Sequence, residues 1–130
     1  MRVILSIKPK YVKEIVKGNK KYELRKAIFK KNVSKVYVYE SSPTMKIVGT
    51  FKVGKILKNE PSVLWKALSP FLGIDKKAYS EYFKNAKTAY AIEITEFKPT
   101  RPRKPAFTLH NFMPHNFKAP QSFSYCSLIL

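Results

Sequence analysis

Apolar and polar positions along this chain follow two periods, and the switches between them outline the elements. Arg2 to Ile7, RVILSI, is a short β-branched and apolar run that reads as a buried first strand. Pro9 then falls where a first helical turn tolerates a residue without an N–H. Tyr11, Val12, Ile15 and Val16 recur at helical spacing, with Lys10, Lys13, Glu14 and Lys17 on the other side. Gly18 supplies the left-handed residue that ends this helix.

Beyond Gly18 the period drops to two. In GNKKYELRK, Gly18 to Lys26, Tyr22 and Leu24 face one way, while Lys21, Glu23 and Arg25 face the other. Lys20 stands at the turn before this strand. KVYVYE, Lys35 to Glu40, alternates valine with tyrosine and predicts a third strand. Ser41-Ser42-Pro43 predicts a turn. KIVGTFKVGKIL, Lys46 to Leu57, predicts a long strand in which Gly49 and Gly54 mark bends or bulges. Ser62 is placed to cap a helix through VLWKAL, and Asp75 to cap a second, KKAYSEYFKNA. TAYAIEITEF, Thr88 to Phe97, predicts the last main strand. Strands interleaved with helices, with bends in the longest strand, point to an α+β domain built on a small mixed barrel.

The character changes at Lys98. Pro99, Pro102, Pro105, Pro114 and Pro120 argue against long regular elements, and no acidic residue follows Glu96. Phe107, Phe112, Phe117, Phe123 and Tyr125 argue against disorder. Residues 1–97 are therefore expected to form the barrel. Residues 98–130 are expected to form a proline-rich basic extension packed on the same domain, with SYCSLIL adding an edge strand.

Charge narrows the partners furthest. The 130 residues carry 26 Lys and Arg against 8 Asp and Glu, a formal net charge of +18. Self-repulsion of that size works against compaction, and a polyanion relieves it. Nucleic acid is the first candidate and an anionic membrane surface the second. Only Arg2, Arg25, Arg101 and Arg103 are arginines, so a general lysine enrichment accounts for part of the imbalance. A single cysteine, Cys126, excludes an internal disulfide and a cysteine-rich zinc site. MRVILSI is too short for a secretory signal, and no apolar run approaches the ~20 residues needed to cross a bilayer. A cytoplasmic protein with no membrane contact, cofactor or metal is expected; the oligomeric state stays open.

The candidate chemistry centres on GNKKYELRK. A glutamate flanked at i±2 by cations holds them in place, and a helix ending in glycine lets a ligand approach the backbone. Gly18, Lys20, Lys21, Glu23 and Arg25 are thus candidate ligand-binding residues. The competing reading is a solvated strand face with ion pairs worth about 0–1 kcal/mol. Ser41 and Ser42 offer hydroxyls and turn N–H groups to a phosphate, or form a plain turn. Tyr37 and Tyr39 share a strand face and are candidates for stacking bases. Arg101, Arg103 and Lys104 extend the candidate nucleic-acid surface. His110 and His115, five apart, match no metal or triad spacing.

Gly18-x-Lys20-x-x-Glu23-x-Arg25 matches the GxKxxExR signature of the ASCH domain family, within the PUA-like superfamily of small β-barrels. The order ILSIKPKYVKEI, GNKKYELRK, KVYVYESSP, KIVGTFKVGKI, two helices, AYAIEI and APQSFSY resembles a bacterial and archaeal ASCH subgroup from end to end. The resemblance implies a barrel whose cleft beside the first helix is lined by the signature residues. It also implies a role in RNA or nucleotide metabolism. One branch of the family removes the N4-acetyl group of acetylcytidine, using a lysine at the position of Lys20, a threonine three residues on and a downstream glutamate. Glu23 stands at the threonine position here, and a carboxylate does not replace a nucleophilic hydroxyl. Glu60 and Glu93 are both open as the downstream acid. Another member is a metal-dependent ribonuclease, but the acids here form no carboxylate cluster. The expected function is an RNA- or nucleotide-binding module. The alternative is a hydrolase of a modified pyrimidine nucleoside or of RNA, with Lys20 as base and Glu23 as acid or orienting group.

Overall fold

A computed structural model describes the backbone of residues 1–105 and 123–126, and the side chains of residues 1–100. The strands are β1 (Arg2–Ile7), β2 (Tyr22–Arg25), β3 (Lys35–Glu40), β4 (Lys46–Asn59), β5 (Ala89–Pro105) and β6 (Phe123–Cys126). The helices are α1 (Pro9–Lys17), α2 (Pro61–Leu68) and α3 (Lys76–Tyr82), with a 3-10 turn at Ser69–Phe71.

The strands form one mixed sheet in the order β2-β5-β4-β3-β1-β6, curled into a half-barrel with three helices, an α+β architecture as the sequence led us to expect. β1 and β3 run parallel and the other neighbouring pairs run antiparallel. One face of the sheet packs Val3, Leu5, Ile7, Val36, Val38, Phe51 and Ile92 against Val12 and Ile15 of α1. Burying the two α1 side chains contributes about 1.5–3 kcal/mol each. The other face, toward α2 and α3, packs Leu24, Ala89 and Ala91 against Leu64, Leu68, Leu72, Tyr79 and Phe83. A chain of this length thus covers the β2–β5 region on both sides.

Several local expectations are met. α1 ends at Gly18 in the left-handed region, φ 84°, with the Gly18 N–H on the Glu14 and Ile15 carbonyls. Asp75 caps α3, its carboxylate accepting from the Ala78 N–H at 2.8 Å. β4 is the long strand, with irregularities between Ile47 and Gly49, Thr50 and Lys52, and Val53 and Ile56. At the last of these, Glu93 Oε1 accepts the Lys55 N–H at 2.9 Å. A Cβ on Gly54 would collide with the same Glu93 oxygen, so that carboxylate and the glycine shape the bulge together.

Two expectations need correction. Ser62 does not cap α2: Pro61 occupies its first turn and Glu60 the cap position, with no side-chain cap bond. β5 does not stop at Phe97 but continues through Pro99 and Pro102 to Pro105. Prolines are accommodated because the β4–β5 register jumps there, from Gly49 opposite Pro99 to Ile47 opposite Lys104, and an irregular ladder does not use every N–H. The boundary expected at residue 98 therefore falls inside a strand. At the far end, Phe123–Cys126 pairs antiparallel with β1 as an edge strand, overlapping the start of the edge strand expected in SYCSLIL. Phe107, His110, Phe112, His115 and Phe117 lie outside the described residues.

Candidate functional site

The charged positions of GNKKYELRK are brought together, but inside the protein. In the β2–β5 ladder Glu23 faces Ile92 and Arg25 faces Tyr90. Facing residues project to the same side of a sheet, and Ile92 belongs to the core beneath α1. Glu23 and Arg25 are thereby turned inward, while Leu24 enters the core beneath α2 and α3. Alternation was legible in the sequence; burial on both faces was not. Exposures of 3% for Lys20, 6% for Glu23 and 8% for Arg25 rule out a solvated strand face.

Glu23 sits between the two cations. Its Oε2 accepts from Arg25 Nη2 at 2.6 Å and from Arg25 Nε at 3.1 Å, and its Oε1 lies 3.7 Å from Lys20 Nζ. The Arg25 contact has the two-donor, charge-assisted geometry that makes such pairs strong. Arg25 Nη2 also donates to the Ser6 carbonyl at 2.9 Å, linking β2 to β1, its non-neighbour in the sheet. Lys20 Nζ donates to the Leu72 carbonyl at 2.8 Å and lies 5.3 Å from the centre of the Tyr11 ring. Burial holds the Lys20 ammonium below its ordinary pKa; Glu23 acts in the opposite direction and Arg25 reinforces the lowering.

Position explains how Lys20 is closed in. Lys20 forms an antiparallel bridge with Leu72, and the Lys21 N–H donates to the Phe71 carbonyl at 2.7 Å. The segment after α2 thus covers the entry to β2. Gly73, at φ +59°, lies so close that a Cβ there would stand 2.7 Å from Lys20 Cβ and 3.2 Å from Glu14 Cβ. Gly18, by contrast, would meet nothing within 4 Å, so its positive φ rather than close packing is what favours glycine at that turn. Lys21 is exposed.

A cleft of about 250 Å³ opens between α1 and the start of α3, lined by Lys10, Tyr11, Glu14, Gly73, Ile74, Asp75 and Ala78. Tyr11 and Gly73 border both this cleft and Lys20, so a wall of the cleft is the cover of the lysine. Glu23 and Arg25 do not line it.

The remaining candidates are dispersed. Tyr37 and Tyr39, at 6% and 4% exposure, are buried in the sheet and present no open ring face, which corrects their assignment as a stacking platform. Ser42 is exposed in the turn after β3, and the Ser41 N–H is bonded to the Ile7 carbonyl at 2.9 Å. Glu93 holds the β4 bulge and Glu60 is exposed before α2, so neither is seen to join Lys20. Arg101, Arg103 and Lys104 lie on β5, their side chains outside the described residues. Among the described residues no cluster of three or more His, Cys, Asp or Glu is placed to hold a metal, and no helix is long and apolar enough to cross a membrane. Tyr11, Leu72 and Gly73 were missed by sequence reasoning. Only Gly73 left a trace there, as the glycine just before the Asp75 cap.

The ASCH domain family matches residues 5–98. The ASCH domain-containing ribonuclease of Zymomonas mobilis is 25% identical over 125 residues, covering 94% of this chain and 82% of that protein. The ATP synthase subunit alpha of Ureaplasma parvum is 30% identical over 125 residues, which are 95% of this chain but 15% of that polypeptide. The crystal structure of ASCH from Zymomonas mobilis superimposes with a TM-score of 0.86 at 23% identity, covering 95% of this chain and 86% of that one. At this identity the likeness speaks for the fold alone.

Proposed function

The chain belongs to the ASCH domain family, and from that premise we propose that it is an RNA-binding module. Its basic surface makes the contact, and Lys20, Glu23 and Arg25 brace that surface from within. The observation that carries this reading is the net charge of +18 on a folded domain of the family. An RNA phosphate backbone offsets such self-repulsion and releases counterions when bound. A relative named as a ribonuclease supports RNA as the polyanion.

The brace follows from geometry. Ligand-contacting cations keep donors toward solvent, whereas Lys20 donates to Leu72 and Arg25 donates to Glu23 and Ser6. These contacts tie β2 to β1 and to the segment after α2. Titrating a labelled single-stranded RNA at rising salt tests the proposal. We expect log K to fall with log salt by about 0.7 per phosphate neutralised. No binding at about 50 mM salt, or a flat salt dependence, refutes it.

RNA hydrolysis is a second reading, favoured by the name of the Zymomonas relative. A lysine with a lowered pKa is suited to act as a base, but Lys20 reaches a substrate only if the Leu72–Gly73 cover opens. Incubation with end-labelled RNA and, separately, with acetylcytidine tests this. Turnover no higher than that of Lys20→Ala removes Lys20 as the base.

A further inference from the structure

Arg25 faces Tyr90 across the ladder and lies within electrostatic reach of Tyr82, and each tyrosine carries a lysine ammonium over its ring. Across the neighbouring strands β2, β5 and β4 the register places Arg25 opposite Tyr90 and Tyr90 opposite Lys58. The three positions form one row, about 10 Å from the first strand to the third, with side chains on the same side of the sheet. Lys58 Nζ stands 5.9 Å from the Tyr90 ring centre. In the next row Ile56 faces Ile92 and stays 39% exposed, an apolar neighbour on that same side. Beyond the end of β2, Lys26 Nζ stands 4.9 Å from the ring centre of Tyr82, the last residue of α3. Tyr82 is 37% exposed and meets Phe83 edge-on. Its phenol lies within electrostatic reach of both Arg25 and Glu23.

Resting on the RNA-binding reading above, we propose that Tyr82 and Tyr90 are the base-stacking platform of this protein. In it, Lys26 and Lys58 take the phosphates of an unpaired RNA strand. The chemistry is that of single-strand recognition: aromatic faces accept any base, and flanking cations track the backbone. Each lysine is itself exposed and now occupies a ring face, of the exposed Tyr82 and of the half-buried Tyr90, in a cation–π pair that contributes about 0.5–1 kcal/mol. A base can displace the ammonium and leave the lysine beside its own phosphate. Duplex RNA keeps its bases stacked internally and gains nothing from the rings. The buried Glu23–Arg25 pair holds the end of β2 in place between the two tyrosines. This gives the brace a defined purpose, and the platform takes the role that Tyr37 and Tyr39 cannot fill.

The test compares an unstructured RNA oligonucleotide with a duplex of the same length, using wild type, Tyr82→Ala, Tyr90→Leu, both Tyr→Phe variants, Lys26→Gln and Lys58→Gln. We expect the Ala and Leu variants each to lose about tenfold affinity for the single strand with an unchanged salt slope. Duplex affinity stays as in wild type, and the Phe variants retain binding. The Gln variants each lower the slope by about 0.7. Since Tyr90→Leu carries some risk to folding, the wild-type ring protons of both tyrosines are followed by NMR, with upfield shifts expected on adding RNA. Wild-type binding with unmoved ring signals and tyrosine variants within twofold overturns the platform alone. Absence of wild-type binding overturns the RNA reading and the platform with it.

Discussion

Replacing Glu23 by alanine removes a carboxylate that both Lys20 and Arg25 touch, at 3.7 Å and 2.6 Å. Two cations then remain in a region where neither is more than 8% exposed. Breaking a buried ion pair from one side costs about 3–5 kcal/mol, because the surviving charge keeps its desolvation penalty. A domain of this size has about 5–15 kcal/mol of stability to lose. At roughly 2.1 cal/mol/K of unfolding entropy per residue, the loss lowers Tm by about 10–18 °C. Urea unfolding followed by circular dichroism, with a thermal melt beside it, reads both quantities. Glu23→Gln keeps an acceptor for Arg25 and is expected to lose less than the alanine variant. Adding Lys20→Met to Glu23→Gln removes one stranded cation, so the double variant should lose less than the sum of the singles. A loss below about 1 kcal/mol for Glu23→Ala, the range of an exposed pair, refutes the internal brace.

Lys20 carries a pH signature. Burial holds its folded pKa below the ordinary 10.5, so between those two values the unfolded chain binds the extra proton and stability rises with pH. Urea midpoints across alkaline pH should therefore show the difference between wild type and Lys20→Met shifting in favour of wild type up to about 10.5; a constant difference contradicts it. The two left-handed glycines separate by cause: Gly18→Ala meets open space and costs about 1 kcal/mol from its φ alone, whereas Gly73→Ala adds a collision with Lys20 and should cost more. Equal losses in denaturant melts would contradict the close packing at Gly73. Asp75→Ala should cost about 1 kcal/mol through the lost cap on the Ala78 N–H, with Asp75→Asn nearly neutral, read by the same melts.

The sequence alone determined the elements whose cause is local. Pro9 and Gly18 bracket α1 because one lacks an N–H that the first turn does not need and the other adopts positive φ freely. Asp75 caps α3 with its own carboxylate, and the glycines of β4 mark a strand that bends. The signature spacing Gly18, Lys20, Glu23, Arg25 was also legible, because a period of two puts Glu23 and Arg25 on one side. What covers that side was decided elsewhere in the chain. Leu72 lies 52 residues from Lys20 and Ser6 lies 19 from Arg25, so the carbonyls that hold these cations leave no mark in the local pattern. The same holds for the tyrosines. Tyr37 and Tyr39 look like an open ring pair in the sequence, and only the folded chain shows them buried. Tyr90 gains Arg25 and Lys58 as neighbours only through register across three strands. Periodicity states which residues share a face, a property of backbone geometry. Whether that face meets solvent, core or another charge is a property of long-range packing, and the tertiary structure alone decides it.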